Sequence, residues 1–141
     1  MALTVLDAGV LIALLDATDP HHAVARAALE EAVTRRDDLV LPASAYAELM
    51  VAPYRRGADA VATVQAALEA LAVRIEPATQ AAASAAAELR ARHGRRLRLP
   101  DALVLATALV ARADRVLTTD ARWPKTEVPV EVVQKPKKRS V

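Results

Sequence analysis

Four acids in this chain stand where acids are costly. Asp101, in Leu99-Pro100-Asp101-Ala102-Leu103-Val104-Leu105, is the one charge in an otherwise almost wholly apolar helix, and a carboxylate there needs a cation to offset its desolvation. Asp7 ends the first apolar run, Asp120 ends the last strong one, and Glu48 interrupts Ala45-Tyr46-Ala47 and Leu49-Met50-Val51-Ala52. Carboxylates gathered at close range repel one another, and hard oxygen donors of this number and charge suit Mg2+ or Mn2+. A cation so held can acidify a water, aim it in line at a phosphodiester and stabilise charge on the attacking and leaving oxygens. The protein then needs no covalent nucleophile of its own.

Each acid alone has an ordinary reading. Asp101 can complement the dipole of its helix or pair with Arg98, three residues earlier. Asp7 and Asp120 can satisfy turn amides at strand ends. Glu48 is not a capping-box partner of Ser44, because the box requires position 47, which is alanine; its ordinary reading is a surface helical residue. Four such coincidences in one chain are harder to accept than one pocket.

The elements that position these acids alternate. Leu3 to Leu6 reads as a strand, Ala8 to Leu15 as an apolar helix, and Asp19-Pro20 supplies an N-cap and a first-turn proline for a helix from about His21 to Arg36. Asp37-Asp38 breaks that pattern, Leu39-Val40-Leu41 suits a buried strand, and Ser44 is placed to cap the helix carrying Glu48. Val61, Val64, Leu68 and Leu71 recur at helical spacing before a short strand at Val73-Arg74-Ile75. An alanine-rich helix runs from Ala78 to His93 and stops near Gly94; Pro100 opens the next, to about Ala113. Val116-Leu117-Thr118 is a strand, and the proline-interrupted stretch Val128 to Val133 belongs on a sheet edge. Strands separated by helices imply a parallel α/β sheet with helices on both faces, formed through right-handed crossovers. In such sheets functional groups gather at the carboxyl ends of the strands, where Asp7 and Asp120 fall.

With 141 residues the chain is sized for one domain, taken as 1–134 with a solvated basic tail at 135–141. Hydrophobic residues make up 54%, much of it alanine, so the core is expected to form from Ala, Leu and Val on closely packed helices. The absence of cysteine removes disulfides, thiolate metal sites and cysteine nucleophiles, and fits a reducing cytoplasm. No apolar run reaches the roughly 20 residues of a membrane span, and the acid at position 7 falls where a signal peptide would be most apolar. Net charge is only +2, but Arg90, Arg92, Arg95, Arg96 and Arg98 crowd one segment just before Asp101, a patch suited to a polyanion or to an acidic protein segment. His93 lies inside that run; His21 and His22, beside Asp19, point in different directions and suit structural roles better than a metal cluster.

Val5-Leu6-Asp7-Ala8-Gly9-Val10, Glu48 after Leu41-Pro42, Leu99-Pro100-Asp101-Ala102, and Leu117-Thr118-Thr119-Asp120 with Trp123 shortly after, in this order, resemble the PIN-domain family of metal-dependent nucleases, and within it the VapC-like toxins of toxin-antitoxin pairs. The resemblance spans nearly the whole chain. It implies a PIN-like three-layer α/β sandwich around a mostly parallel sheet, with Asp7, Glu48, Asp101 and Asp120 as catalytic Mg2+ or Mn2+ ligands. It also implies an RNA substrate, a cognate antitoxin and a homodimer; Arg92, Arg95, Arg96 and Arg98 of the basic run are then placed to grip the RNA phosphates or to receive an acidic antitoxin segment. Thr118 matches the hydroxyl residue that relatives carry two positions before the fourth acid and can orient Asp120 or a bound water. Gly9 departs from the pattern, in which serine, threonine or asparagine is common two residues after the first acid. It either makes room for substrate backbone or serves the strand-to-helix turn.

Two rivals stand beside this reading. An aspartyl-nucleophile phosphatase would use Asp7 after the first strand, although Gly9 supplies no second acid. A non-catalytic interaction module would keep the acidic pocket for a metal or a basic partner. A plain RNA-binding protein would leave the four acids unexplained.

Overall fold

The computed structural model describes residues 1–135, so the expected tail lies almost entirely outside the described residues. The elements, in chain order, are β1 (Leu3–Leu6), α1 (Ala8–Leu15), α2 (His22–Thr34), β2 (Asp38–Pro42), α3 (Ala43–Arg56), α4 (Ala58–Ala70), β3 (Arg74–Glu76), α5 (Gln80–His93), α6 (Leu99–Ala111), β4 (Arg115–Thr118) and β5 (Val130–Val132). A single 3-10 turn, Gly94–Arg96, joins α5 to the α6 approach. The strand order is β3-β2-β1-β4-β5, and all four pairings are parallel.

This order explains the layers. From β1 the chain steps outward through β2 to β3, then returns across the sheet to β4 and β5 on the other side of β1. Right-handed crossovers in opposite directions place their helices on opposite faces, and the direction reverses between β1 and β4, the switch point at which α/β sheets bind ligands. The central strands are buried on both faces, as parallel strands are: Val5, Leu6, Val40, Leu41, Val116 and Leu117 are all inaccessible. Against them α6 packs Ala102, Val104, Leu105, Ala106 and Ala108, and α5 contributes Ala82, Ala86 and Leu89. The alanines let these helices approach closely, while each buried leucine contributes about 2 kcal/mol. The one buried hydroxyl of that α6 face, Thr107, bonds back to the Leu103 carbonyl at 2.8 Å.

Two expected caps do not form. Pro42 precedes α3 directly and Ser44 lies inside the first turn, because β2 runs straight into the helix without a capping residue. Asp19 serves a turn instead, accepting from the His21 amide at 2.8 Å while α2 begins at His22. The edge placement of the last strand holds, with Pro129 left outside β5. The histidine pair is structural: His22 Nδ1 lies 2.9 Å from the Ala13 carbonyl, and His21 lies beside Asp19.

The amino end of the sheet is tied by an ion network. The Asp37 side chain, only 2% exposed, accepts from Arg35 Nη2 at 3.1 Å and Arg115 Nη2 at 3.0 Å. Arg115 also donates from Nε to Thr4 Oγ1 at 3.1 Å and pairs with Glu131, so one guanidinium crosses β1, β4 and β5. Burial pushes the Asp37 carboxyl up, but the hydrogen bonds from Arg35 and Arg115 outweigh it and hold the group below its ordinary value.

Candidate active site

The opposite, carboxyl end of the sheet gathers the acids. Asp7 follows β1 and caps α1: its Oδ1 accepts from the Ala8 amide at 2.9 Å, while its own amide donates to the Leu117 carbonyl of β4 at 2.9 Å. Its Oδ2 accepts from Thr118 Oγ1 at 2.8 Å. Thr118, fully buried, in turn accepts from the Asp120 amide at 3.1 Å. Thr118, expected to orient Asp120 or a bound water, reaches Asp120 through its backbone amide, and the same hydroxyl also fixes Asp7. One side chain locks two acids across the β1–β4 seam.

Asp101 sits in the first turn of α6 behind Pro100, and Glu48 in α3, where it is exposed. The electrostatics show that the four sense one another. Burial raises the Asp101 carboxyl to about 6, reinforced by the negative charges of Asp7 and Asp120 and only partly relieved by Arg98 and Arg122. Asp7, 8% exposed, is raised by burial and by Glu48 and Asp120, against the two hydrogen bonds that favour its charge. Glu48 is raised by desolvation and by Asp101. Asp120 alone is lowered, because Arg122 holds it: the Arg122 Nε donates to Oδ1 at 3.0 Å and Nη2 to Oδ2 at 3.2 Å, with the Arg122 amide 2.9 Å from Oδ1. Asp101 forms no ion pair with Arg98 among the described residues, so the simple pairing is not its explanation.

Among the described residues no three His, Cys, Asp or Glu side chains stand close enough together to cage a metal ion. Asp101 and Asp120 line an open cavity, Asp7 is buried beside them under Thr118, and Glu48 is exposed on α3. A pair of carboxylates in an open cavity fits Mg2+ or Mn2+ in its chemistry, because a small hard cation usually takes only one or two protein carboxylates and completes its shell with water and substrate phosphate.

Next to the acids lies a cavity of about 300 Å3 lined by Arg95, Arg96, Arg98 and Arg122 together with Asp101, Asp120 and Trp123. The basic run therefore divides. Arg95, Arg96 and Arg98 face the site, whereas Arg92 pairs with Glu88 at 3.2 Å and Glu127 at 3.3 Å, and Arg90 Nη1 donates to the Gly94 and Leu97 carbonyls at 3.0 and 2.8 Å. His93 is no phosphate grip either, since its Nε2 is buried and unpartnered. Arg122 is the residue that sequence reasoning missed. Its only signal was the Asp120-Ala121-Arg122 spacing, which reads as an ordinary turn.

The sequence profile of the PIN domain matches residues 4–129. No curated protein matches the chain in sequence. Among solved structures, a toxin-antitoxin complex from Klebsiella pneumoniae superposes with a TM-score of 0.76 at 22% identity, covering 94% of this chain and 99% of that one. FitAcB from Neisseria gonorrhoeae gives 0.68 at 24% identity over 91% and 96%. VapC20 of Mycobacterium tuberculosis, described as a toxin that cleaves the sarcin-ricin loop, gives 0.64 at 22% over 80% and 86%. These likenesses extend the agreement from sequence profile to backbone. By its profile over nearly the full length and by the fold of its sheet, the chain belongs to the PIN domain family.

Proposed function

We propose that this protein is a metal-dependent ribonuclease, and that it acts as the toxin of a toxin-antitoxin pair in the cytoplasm. The observation that carries the chemistry is that Asp101 and Asp120 line one cavity with four arginines, while burial and the charges of Asp7 and Asp120 push the Asp101 carboxyl up. A site that must hold both a cation and a phosphodiester needs both signs of charge side by side. Asp7, Glu48, Asp101 and Asp120 would hold Mg2+ or Mn2+, which when bound supplies a Lewis acid and a water acidic enough to attack phosphorus near neutral pH. Arg95, Arg96 and Arg98 neutralise the phosphate chain of the substrate and set its register beside the acids. Thr118 keeps the Asp7 carboxylate from turning, so its lone pairs are presented without reorganisation. In the hydrolysis the water oxygen bonds to phosphorus, the bond from phosphorus to one ribose oxygen breaks, and that oxygen takes up a proton.

The aspartyl-nucleophile alternative fares worse on geometry. Both Asp7 oxygens already accept a hydrogen bond and the residue is almost inaccessible, which blunts nucleophilic attack while leaving a second lone pair on each oxygen for a cation. A protein antitoxin covering the site, and a homodimer, rest on the resemblance; the Klebsiella pneumoniae neighbour is itself a toxin-antitoxin complex.

The test incubates purified, antitoxin-free protein with RNA in Mg2+, Mn2+ or EDTA, beside folded Asp7→Asn and Asp101→Asn variants. Cleavage is expected only in the wild-type lanes with metal. Equal cleavage in every lane would sink the mechanism, and hydrolysis of a phosphate monoester with silence on RNA would favour the phosphatase.

A further inference from the structure

Gly9 occupies the first turn of α1 with ordinary backbone geometry; the glycines at positive φ are Gly57 and Gly94. Conformation therefore does not require glycine there. Space does. A Cβ on residue 9 would stand 2.6 Å from Thr119 Oγ1, a distance no real carbon–oxygen contact tolerates, whereas the Thr119 Cβ lies at a comfortable 3.9 Å. The room left by Gly9 is filled by one atom, the Thr119 hydroxyl.

That hydroxyl lies where the turn beginning at Asp7 meets the end of β4 leading to Asp120. Its neighbour Thr118 is fully committed, donating to Asp7 and accepting from the Asp120 amide. Thr119 Oγ1, by contrast, enters no hydrogen bond among the described residues, although Thr119 is only half-buried and so within reach of solvent or substrate. Thr119 directly precedes Asp120 and lies against the turn that starts at Asp7, and a neutral hydroxyl so placed can serve an anion without adding a charge that would compete for the acids.

We propose that Thr119 is a substrate-binding residue: its Oγ1–H donates to a non-bridging oxygen of the phosphate to be cleaved, and Gly9 exists to give that hydroxyl its place. This deepens the ribonuclease reading and rests on it.

The experiment compares Thr119→Val, Thr119→Ser, Gly9→Ala and Gly9→Ala/Thr119→Ala, each checked for folding by thermal denaturation. On RNA, Thr119→Val and Gly9→Ala are expected to lower kcat/KM about tenfold, the worth of a hydrogen bond to a charged group, and Thr119→Ser to stay within about twofold of wild type. Gly9→Ala/Thr119→Ala, which removes the clash but returns no hydroxyl, should stay as low as Thr119→Val. Full activity in Thr119→Val, or recovery of activity by Gly9→Ala/Thr119→Ala, overturns the proposal, since the contact would then be packing alone. Binding of a fluorescent RNA oligonucleotide in Ca2+ is the second readout, expected to weaken severalfold in Thr119→Val and not in Thr119→Ser. If the wild type cleaves no RNA, the nuclease reading fails separately, and equal RNA affinities for wild type and Thr119→Val then overturn this one.

Discussion

Replacing Asp101 with asparagine should make the metal-free protein more stable while destroying its activity. The folded chain holds the Asp101 carboxyl at about 6 instead of 3.8, first through burial and then through Asp7 and Asp120. A raised carboxyl means that the folded state binds its proton more tightly than the unfolded state. Stability from this group is therefore full below the unfolded value near 4 and falls away as pH rises through about 6. At neutral pH that displacement corresponds to a penalty of at most about 3 kcal/mol. Solvent at the open mouth and repulsion shared with Asp7 and Asp120 bring the recoverable part to about 1–2 kcal/mol. For a domain of this size the Tm of Asp101→Asn should exceed that of the wild type by about 3–6 °C at pH 7.5 in EDTA. The gap should narrow to about a third as the buffer is taken to pH 4.5 and close only below the unfolded value near 4. Circular dichroism melts across that range decide the matter. A variant no more stable at pH 7.5, or a gap that does not narrow between pH 7.5 and pH 4.5, would refute the assignment of uncompensated charge to Asp101. Added Mg2+ should raise the wild-type Tm more than that of the variant.

At the other end of the sheet, Asp37→Ala should cost about 2 kcal/mol in urea denaturation, because it takes from the largely buried Arg115 guanidinium one of its two carboxylate partners and leaves it only Glu131 and Thr4. Cleavage per folded molecule should be unchanged. Since the Asp37 carboxyl is held below its ordinary value, its stabilisation is present above about pH 4 and is lost as pH falls through the folded value. Arg96→Ala and Arg98→Ala should each weaken RNA binding and reduce the slope of log K against log salt by about 1, whereas Arg92→Ala, already engaged by Glu88 and Glu127, should leave the slope unchanged. An Arg92 effect as large as the others would show that the cavity does not define the RNA path.

The acids were legible because each broke an apolar pattern at a strand end or helix start, and parallel topology sends such positions to one edge. The strand alternation and the edge location of β5 were legible for the same reason: periodicity and proline report local geometry. What escaped depends on partners distant in sequence. Nothing local distinguishes Arg92, bound to Glu127 across the fold, from Arg96, which lines the cavity. Asp37-Asp38 read only as a helix break, yet Asp37 organises the amino end of the sheet through Arg115, 78 positions away. Ser44 misled because the residue type suits a cap, whereas the junction runs directly from Pro42 into the helix. Gly9 was visible as an oddity, but its meaning lies in Thr119, which only the β1–β4 register brings against it.

The seam that joins β1 to β4 also has a consequence for synthesis. Asp7 is made first, and the hydroxyl that fixes it lies 111 positions later. A ribosome adding about 5–20 residues per second therefore exposes the first acid for several seconds before its partners exist. During that interval the emerging polypeptide carries no assembled cutting edge, however well α1 to α4 have folded. High contact order, usually counted only as a brake on folding, here works as a delay fuse: if the site is the ribonuclease proposed above, it is completed only after β4 has left the RNA-rich machinery that makes it.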